Sequence, residues 1–179
     1  MILGLTERLI LRPFQMGDLE TFLTYRNDPA VARYQGWKTP YTREQAINFI
    51  NSLESSIPGK LGDWYQVALE IKGEGKMIGD CAFRVAEDGY QAEIGYSLVT
   101  SFHGQGYGTE AAKGLLNYLF TDLDMHRVSA FCDTRNAPSY QLLERVGFRL
   151  EGHLVENYWD NGEWASEYHY AMLKREWAG

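Results

Sequence analysis

The chain has 179 residues, of which 45% are hydrophobic and 23% charged, enough for one domain over residues 1–179 with a substantial core. The formal net charge of −7 argues against a general nucleic-acid binder, which usually presents a basic face. No apolar run reaches membrane-span length, and the N-terminus lacks a basic segment followed by an apolar core, so we expect a cytoplasmic protein with no membrane partner.

The first third of the chain predicts one strand and two helices. Residues 6–14 alternate as a strand, and a helix follows with Asp18 as its N-cap. A second helix begins after Thr42, because Gln45 stands three residues later in the capping-box arrangement. The segment between the two helices is a turn region rich in aromatic residues, among them Tyr34 and Trp37.

The centre of the chain predicts an antiparallel meander that leads into a glycine-rich loop and a helix. Glycine-containing turns separate three alternating apolar runs, at residues 65–71, 77–85 and 90–98. The helix after the loop has apolar residues at the i, i+3, i+4, i+7 spacing of one face: Ala112, Leu115, Leu116 and Leu119. Residues 127–132 then predict a further strand.

The last part of the chain predicts a helix and a hairpin. The helix begins near Asn136 and ends at Gly147, a left-handed C-cap. Residues 161–162 are Asn-Gly, a strong hairpin signal, and the resulting register pairs Trp159 with Trp164. Taken together, the elements predict an α/β fold with a mixed sheet.

The glycine-rich loop is the strongest candidate for a binding site. Gly104, Gly106 and Gly108 stand between a strand and a helix, where free backbone N–H groups and the helix dipole favour a phosphate. The alternative is a tight turn that needs glycine only for its geometry. A dinucleotide fingerprint is excluded because Thr109 stands where its third glycine belongs, and no Gly-Lys-Ser/Thr of a P-loop follows.

Two motifs resemble the GNAT superfamily of acyl-coenzyme A transferases, and within it the branch of the ribosomal-protein N-terminal acetyltransferases. The loop from His103 to Gly108 is similar to the family's Gln/Arg-x-x-Gly-x-Gly/Ala coenzyme loop, with His103 in place of Gln or Arg. Residues 136–148 resemble the branch's Asn-x-x-Ser helix that ends in Gly-Phe, and residues 6–13 add a third likeness. The resemblance implies coenzyme A or acetyl-coenzyme A as a cosubstrate.

The resemblance also implies a particular sheet. It has about six to seven mostly antiparallel strands flanked by helices, and the strand ending at Leu98 splays from residues 128–132 to admit the acyl-carrying arm. That arm carries amides and can pair with a strand edge, here at Leu98 and Thr100. Considered without the resemblance, the two strands simply pair along their whole length. The implied coenzyme-binding residues are Leu98, Val99, Thr100, His103, Gly104, Gln105, Gly106, Tyr107, Gly108, Thr109, Asn136 and Ser139.

Acyl transfer to an amine needs a base for the amine, donors for the oxyanion and a proton for the leaving thiolate. Glu93 is the candidate base, although an alternating strand glutamate is commonly a solvated residue. The resemblance assigns the proton for the thiolate to Ser139, with Tyr140 as a weaker candidate. The backbone N–H near Leu98 is the candidate oxyanion donor, and Asn136 serves equally as a helix cap.

The acceptor predicted from the resemblance is a primary amine, either a protein N-terminus or a small molecule. Tyr34 and Trp37 lie where the family covers the acceptor site, although core packing explains them as well. No metal is expected, because the isolated histidines lack metal-ligand spacing. We expect a monomer or homodimer with no nucleic-acid partner. The competing hypothesis is a coenzyme A-binding sensor that does not catalyse.

Overall fold

One eight-stranded sheet forms the centre of the protein in the computed structural model, which describes residues 2–160 and 162–179. In chain order its strands are β1 Gly4–Leu5, β2 Leu9–Arg12, β3 Trp64–Ile71, β4 Lys76–Val85, β5 Gln91–Leu98, β6 Arg127–Asp133, β7 Arg149–Asp160 and β8 Glu163–Leu173. Their order in space is β1-β2-β3-β4-β5-β6-β8-β7, and every neighbouring pair is antiparallel except β5 and β6. The expected mixed, mostly antiparallel sheet is confirmed.

The sheet has one strand more than the six to seven predicted, because β1 at Gly4–Leu5 precedes the strand predicted over residues 6–14, of which Leu9–Arg12 forms β2. The amide of Thr6 donates to the carbonyl of Leu9, which turns the chain between β1 and β2. The helices are α1 Leu19–Arg26, α2 Pro29–Ala32, α3 Arg43–Leu53, α4 Tyr107–Asn117 and α5 Ala137–Val146. None of the described helices is long and apolar enough to cross a membrane.

Two hydrophobic clusters cover opposite faces of the sheet. The larger lies under α4 and α5 and includes the predicted stripe of Ala112, Leu115, Leu116 and Leu119, all buried. The smaller lies under α1 and α3, where the ring of Phe22 packs on its aromatic neighbours. Each sheet face therefore carries its own helical layer, as the alternation of apolar residues along the strands requires.

Several local predictions are confirmed by the geometry of the chain. Thr42 and Gln45 form the capping box at the start of α3, and Gly147 adopts a left-handed conformation with φ +109° at the end of α5. Trp159 pairs with Trp164 in the β7–β8 hairpin, with ring centroids 5.4 Å apart. Asn161, part of the predicted turn signal, lies outside the described residues.

Asp18 is the N-cap residue of α1, as predicted, but its side chain has another partner. Asp18 closes a short 3-10 helix, Met16–Asp18, and its side chain makes no capping hydrogen bond to α1. Its carboxylate instead accepts from Arg12 Nη1 and Nη2, each at 2.8 Å, and from the backbone N–H of Gln15. The buried arginine on β2 competes for the carboxylate more strongly than the helix terminus does.

Candidate active site

The chain between β5 and α4 forms the loop that the glycines predicted. A short 3-10 helix, Thr100–Phe102, leads into Gly104 and Gly106, which have φ of +71° and +83°. Gly106 is the N-cap of α4, so the first N–H groups of an 11-residue helix point out of the loop without intrahelical partners. This arrangement favours a phosphate group.

A cavity of about 1030 Å³ opens beside this loop, between α2, the end of β5 and the start of α5. It brings together most of the residues predicted to bind coenzyme or acceptor: Tyr34, Leu98, His103, Gly104, Gly106, Gly108, Thr109, Asn136 and Ser139. Other predicted residues are not among the described residues that line it: Trp37, Glu93, Val99, Thr100, Gln105 and Tyr107. The cavity therefore joins the glycine loop to the Asn-x-x-Ser helix, two motifs far apart in sequence.

The residues outside the cavity have identifiable structural partners. The Thr100 hydroxyl donates to Asp28, the residue that caps α2. The Val99 N–H donates to Ile78 on β4, which turns that amide away from the cavity. The Trp37 indole donates to the Arg26 carbonyl and its ring lies 3.8 Å from the Arg26 guanidinium carbon. Trp37 thus packs within the helical layer under α1 and α3, the alternative already considered for it.

The gap between β5 and β6 is present in the structure. The two strands pair in parallel only from Gln91 to Ile94 on β5 and from Arg127 to Ala130 on β6. Beyond Ile94, strand β5 continues against β4 alone. The Val99 N–H faces β4. Because the backbone groups of successive strand residues point to opposite edges of the strand, those of Leu98 and Tyr96 point toward the gap. The predicted open strand edge therefore exists at Leu98.

Two side chains reach this open edge. His103 Nε2 lies 2.9 Å from the Leu98 carbonyl, and Gln35 Nε2 donates to the Tyr96 carbonyl at 3.4 Å. His103 therefore has a definite contact, although it replaces the Gln or Arg usual at that position. Gln35 was not found from the sequence, since only tertiary structure brings the segment after α2 to β5.

Ser139 lies at the fork of the two strands and is held by Tyr96. The Tyr96 hydroxyl lies 3.0 Å from Ser139 Oγ and also donates to the Ser139 carbonyl at 3.2 Å. Burial raises the pKa of Tyr96 above its ordinary value, so the phenol remains a neutral donor. Tyr140, by contrast, packs its ring against Tyr168 at 5.6 Å. The Tyr96 contact was missed because its ring followed the apolar alternation of β5.

Glu93 lies on β5 one residue before Ile94, the last residue that pairs with β6. Its carboxylate accepts from Arg84 Nη2 at 2.9 Å, and its side chain is about a quarter exposed. Arg84 is the residue directly opposite on β4, so the contact is a cross-strand ion pair. Glu93 thus has a local partner, and its assignment as the base stays a prediction.

The glycine loop is tied to the start of the chain by one ion pair. Arg8 Nε donates to Glu110 at 2.6 Å, and Arg8 Nη1 donates to the Gln105 carbonyl at 3.1 Å. The Arg8 guanidinium carbon also lies 4.1 Å from the centre of the Tyr107 ring. Gln105 and Tyr107 therefore serve to hold the loop against β2, a role that the resemblance did not supply.

Positive charge is available at the cavity although the chain is acidic. Lys113 on α4 and Arg145 on α5 both line it, and neither forms an ion pair within the described part of the chain. These two cations add to the donors at the start of α4, so the cavity suits an anionic ligand. No group of three metal-binding side chains was found among the described residues.

The glycine loop gives a first prediction with a matched control. Gly104 and Gly89 have φ of +71° and +73°, and a side chain at either would meet no atom closer than 3.9 Å. Valine at either position should cost about 1–2 kcal/mol of stability, because left-handed backbone is strained for side-chain-bearing residues. We expect only Gly104→Val to raise the Kd for coenzyme A, by about tenfold or more, as measured by calorimetry.

The neighbouring glycines are poorer choices for this test. A Cβ at Gly108 would lie 2.7 Å from Leu142, and one at Gly106 would lie 3.3 Å from Arg8. Substitution there disturbs helix packing or the Arg8 contact as well as the loop. An unchanged Kd in Gly104→Val, with Gly89→Val equally destabilised, would contradict the assignment of the loop.

Comparison with known proteins agrees with this geometry. A family model described as an acetyltransferase (GNAT) domain matches residues 8–149. The chain is 34% identical over 179 residues to the uncharacterized N-acetyltransferase p20 of Bacillus licheniformis, with 97% of each protein covered. It also matches the crystal structure of a GNAT-family acetyltransferase from Bacillus anthracis, with a TM-score of 0.86, 30% identity, and coverage of 98% of this chain and 100% of that one.

A more distant structure shares the fold. Spermidine N-acetyltransferase from Vibrio cholerae, solved with coenzyme A and spermine, gives a TM-score of 0.82 at 21% identity and covers 94% of this chain and 97% of that one. The matched family region includes the glycine loop, the splayed strands and the Asn-x-x-Ser helix described above. The chain therefore belongs to the GNAT family, and it is a coenzyme A-dependent N-acetyltransferase.

Proposed function

We propose that the protein acetylates a primary amine of low pKa, an α-amino terminus or a small amine, by direct attack on acetyl-coenzyme A. The observation that carries this proposal is the fork between β5 and β6, where Ser139 and the open edge at Leu98 border one cavity with the glycine loop. Such a site holds the two reacting groups side by side without an enzyme nucleophile.

Each element of the site has a separate task in this proposal. The N–H groups at the start of α4 hold the pyrophosphate, and Lys113 and Arg145 support the other phosphate of the coenzyme. Bound acetyl-coenzyme A supplies the activated thioester. The Leu98 N–H is placed to stabilise the developing oxyanion, and Ser139 protonates the leaving sulfur.

The acceptor preference follows from the ionisation of amines. An α-amino group has a pKa near 8, so a useful neutral fraction exists at neutral pH, whereas a lysine side chain near 10.4 presents about a hundredfold less. The net charge of −7 attracts cationic acceptors in general. Spermine in the Vibrio cholerae neighbour supports an amine acceptor without distinguishing these classes.

The acceptor preference is tested with two matched peptides, one with a free terminus and no lysine, the other with a blocked terminus and one lysine. We expect thioester consumption to be at least tenfold faster with the free-terminus peptide, because the neutral fractions of the two amines differ about a hundredfold. Spermidine serves as a third acceptor. Faster turnover of the blocked lysine peptide would contradict the preference.

The same assay separates the proposal from a coenzyme sensor. A sensor binds acetyl-coenzyme A, and so gains stability by RT ln(1 + [L]/Kd), but consumes no thioester with any acceptor. An enzyme does both. Binding without turnover across the panel of amines would reject the proposed function while leaving the coenzyme site intact.

A further inference from the structure

Several buried polar atoms lie beneath α1 on the sheet face opposite α4. Tyr25 and Arg26 end α1, which packs on β4, and Gln66 and Asp80 lie on β3 and β4. The Tyr25 hydroxyl, Arg26 Nε, Gln66 Oε1 and Asp80 Oδ1 find no hydrogen-bond partner among residues 2–160 and 162–179. Tyr25 and Arg26 face Asp80, so these groups form one buried polar cluster, and the unpaired carboxylate oxygen in it calls for an explanation.

Asp80 is the cross-strand partner of a residue that lines the cavity. It stands directly opposite Ser97 in the β4–β5 register, and Ser97 lines the cavity beside Leu98. Residues so paired have Cα atoms about 5 Å apart. Glu93, on the same face of β5, lies four residues before Ser97, or about 13 Å along the strand. By distance, Asp80 is better placed than Glu93 to serve an amine at Leu98.

The surroundings of Asp80 favour its neutral form. Only 4% of the residue is exposed, and burial raises the pKa of its carboxyl to about 6. Arg26 and Tyr25, the charged and titratable groups that face it from α1, oppose that rise only in part. Its neighbours in the sheet, Ala68 and Ser97, carry no charge. The charged form therefore destabilises the folded protein, and this cost grows as the pH rises from the ordinary pKa toward 6.

We propose that Asp80 accepts the proton released by the acceptor amine, relayed through the Ser97 hydroxyl, which rotates to reach the unpaired oxygen of Asp80. This inference rests on the proposed function. The amine nitrogen forms a C–N bond with the acetyl carbon while the C–S bond breaks and its electron pair leaves on sulfur. The nitrogen gives one proton to Asp80 through Ser97, and the sulfur takes one from Ser139. Exchange with water then returns Asp80 and Ser139 to their starting protonation states.

The test compares kcat/KM from about pH 5 to about pH 9 for the parent, Asp80→Asn, Ser97→Ala and Glu93→Gln. The acceptor is the free-terminus peptide, or spermidine if that is the amine consumed. Protonation of the acceptor amine lowers kcat/KM of the parent and of every variant below about pH 8. The parent should show a second, additional loss as the pH falls through about 6, where Asp80 becomes protonated. Asp80→Asn should lack that limb and lose on the order of a hundredfold in kcat/KM at neutral pH. Glu93→Gln should keep the limb.

Thermal stability distinguishes proton transfer from a structural role. Asparagine resembles the protonated acid, so Asp80→Asn should melt several degrees higher than the parent at pH values above 6. A lower melting temperature together with the parent's pH profile would overturn the inference, as would loss of the limb in Glu93→Gln alone. If Asp80→Asn fails to fold, the Ser97→Ala variant provides the test, because turnover at the parent's rate in Ser97→Ala would exclude the relay. A parent that turns over no amine overturns the proposed function and this inference with it.

Discussion

Replacing Ser139 by alanine is expected to lower kcat by about a hundred- to ten-thousandfold, the usual contribution of a single acid–base group. The effect should be similar at all pH values, because the hydroxyl does not titrate in the range of the assay. The Kd for coenzyme A should change little, since most of the cavity lining is untouched. Steady-state kinetics and calorimetry on the same preparation measure both quantities.

Tyr96→Phe is the control for the Ser139 prediction. It removes the hydroxyl 3.0 Å from Ser139 Oγ and keeps the ring in the core. If Ser139 is the acid, this variant should be slowed less than Ser139→Ala. If kcat falls strongly in Tyr96→Phe but stays at the parent's value in Ser139→Ala, then the tyrosine and not the serine is the acid.

Replacing Arg12 by methionine should destabilise the protein by about 3–5 kcal/mol, because it leaves a buried carboxylate without its counter-charge. Arg12 holds Asp18 by two bonds of 2.8 Å and Glu70 by one of 2.5 Å, and Arg12 and Asp18 are both over 90% buried. At this chain length the loss corresponds to a fall in Tm on the order of 10 °C. Scanning calorimetry and urea unfolding measure it.

Arg43→Met is the matched control for a change of charge alone. Arg43 pairs with Glu20, but more than half of each side chain is exposed. Exposed pairs of this kind contribute about 0–1 kcal/mol. Equal destabilisation by the two substitutions would mean that burial does not set the contribution of Arg12, contrary to this account.

Local signals were read correctly from the sequence wherever one short stretch decides the geometry. The capping box at Thr42 and the left-handed Gly147 each depend on a few consecutive residues. The pairing of Trp159 with Trp164 needed only the hairpin register. Such features are set by backbone conformation and near neighbours, which a sequence displays directly.

The details of the site depend on contacts between distant residues, and the sequence did not show them. The side chain of Asp18 was expected to cap a helix, because nothing nearby in the sequence shows that Arg12 would bind its carboxylate. Tyr96 was counted as a core residue because its alternation matches that of its neighbours. The gap between β5 and β6 was expected only from the family resemblance, since the residues themselves permit continuous pairing.

Arg8 makes the beginning of the chain a remote part of the coenzyme site. It joins β2 to the glycine loop through Glu110 and Gln105. Coenzyme binding that orders the loop should therefore also stabilise the first two strands. Ordering of those strands should in turn favour coenzyme binding by the same free energy. We expect loosening of the opening residues, for example by an N-terminal fusion, to weaken coenzyme binding, and bound coenzyme to slow amide hydrogen exchange across residues 4–12.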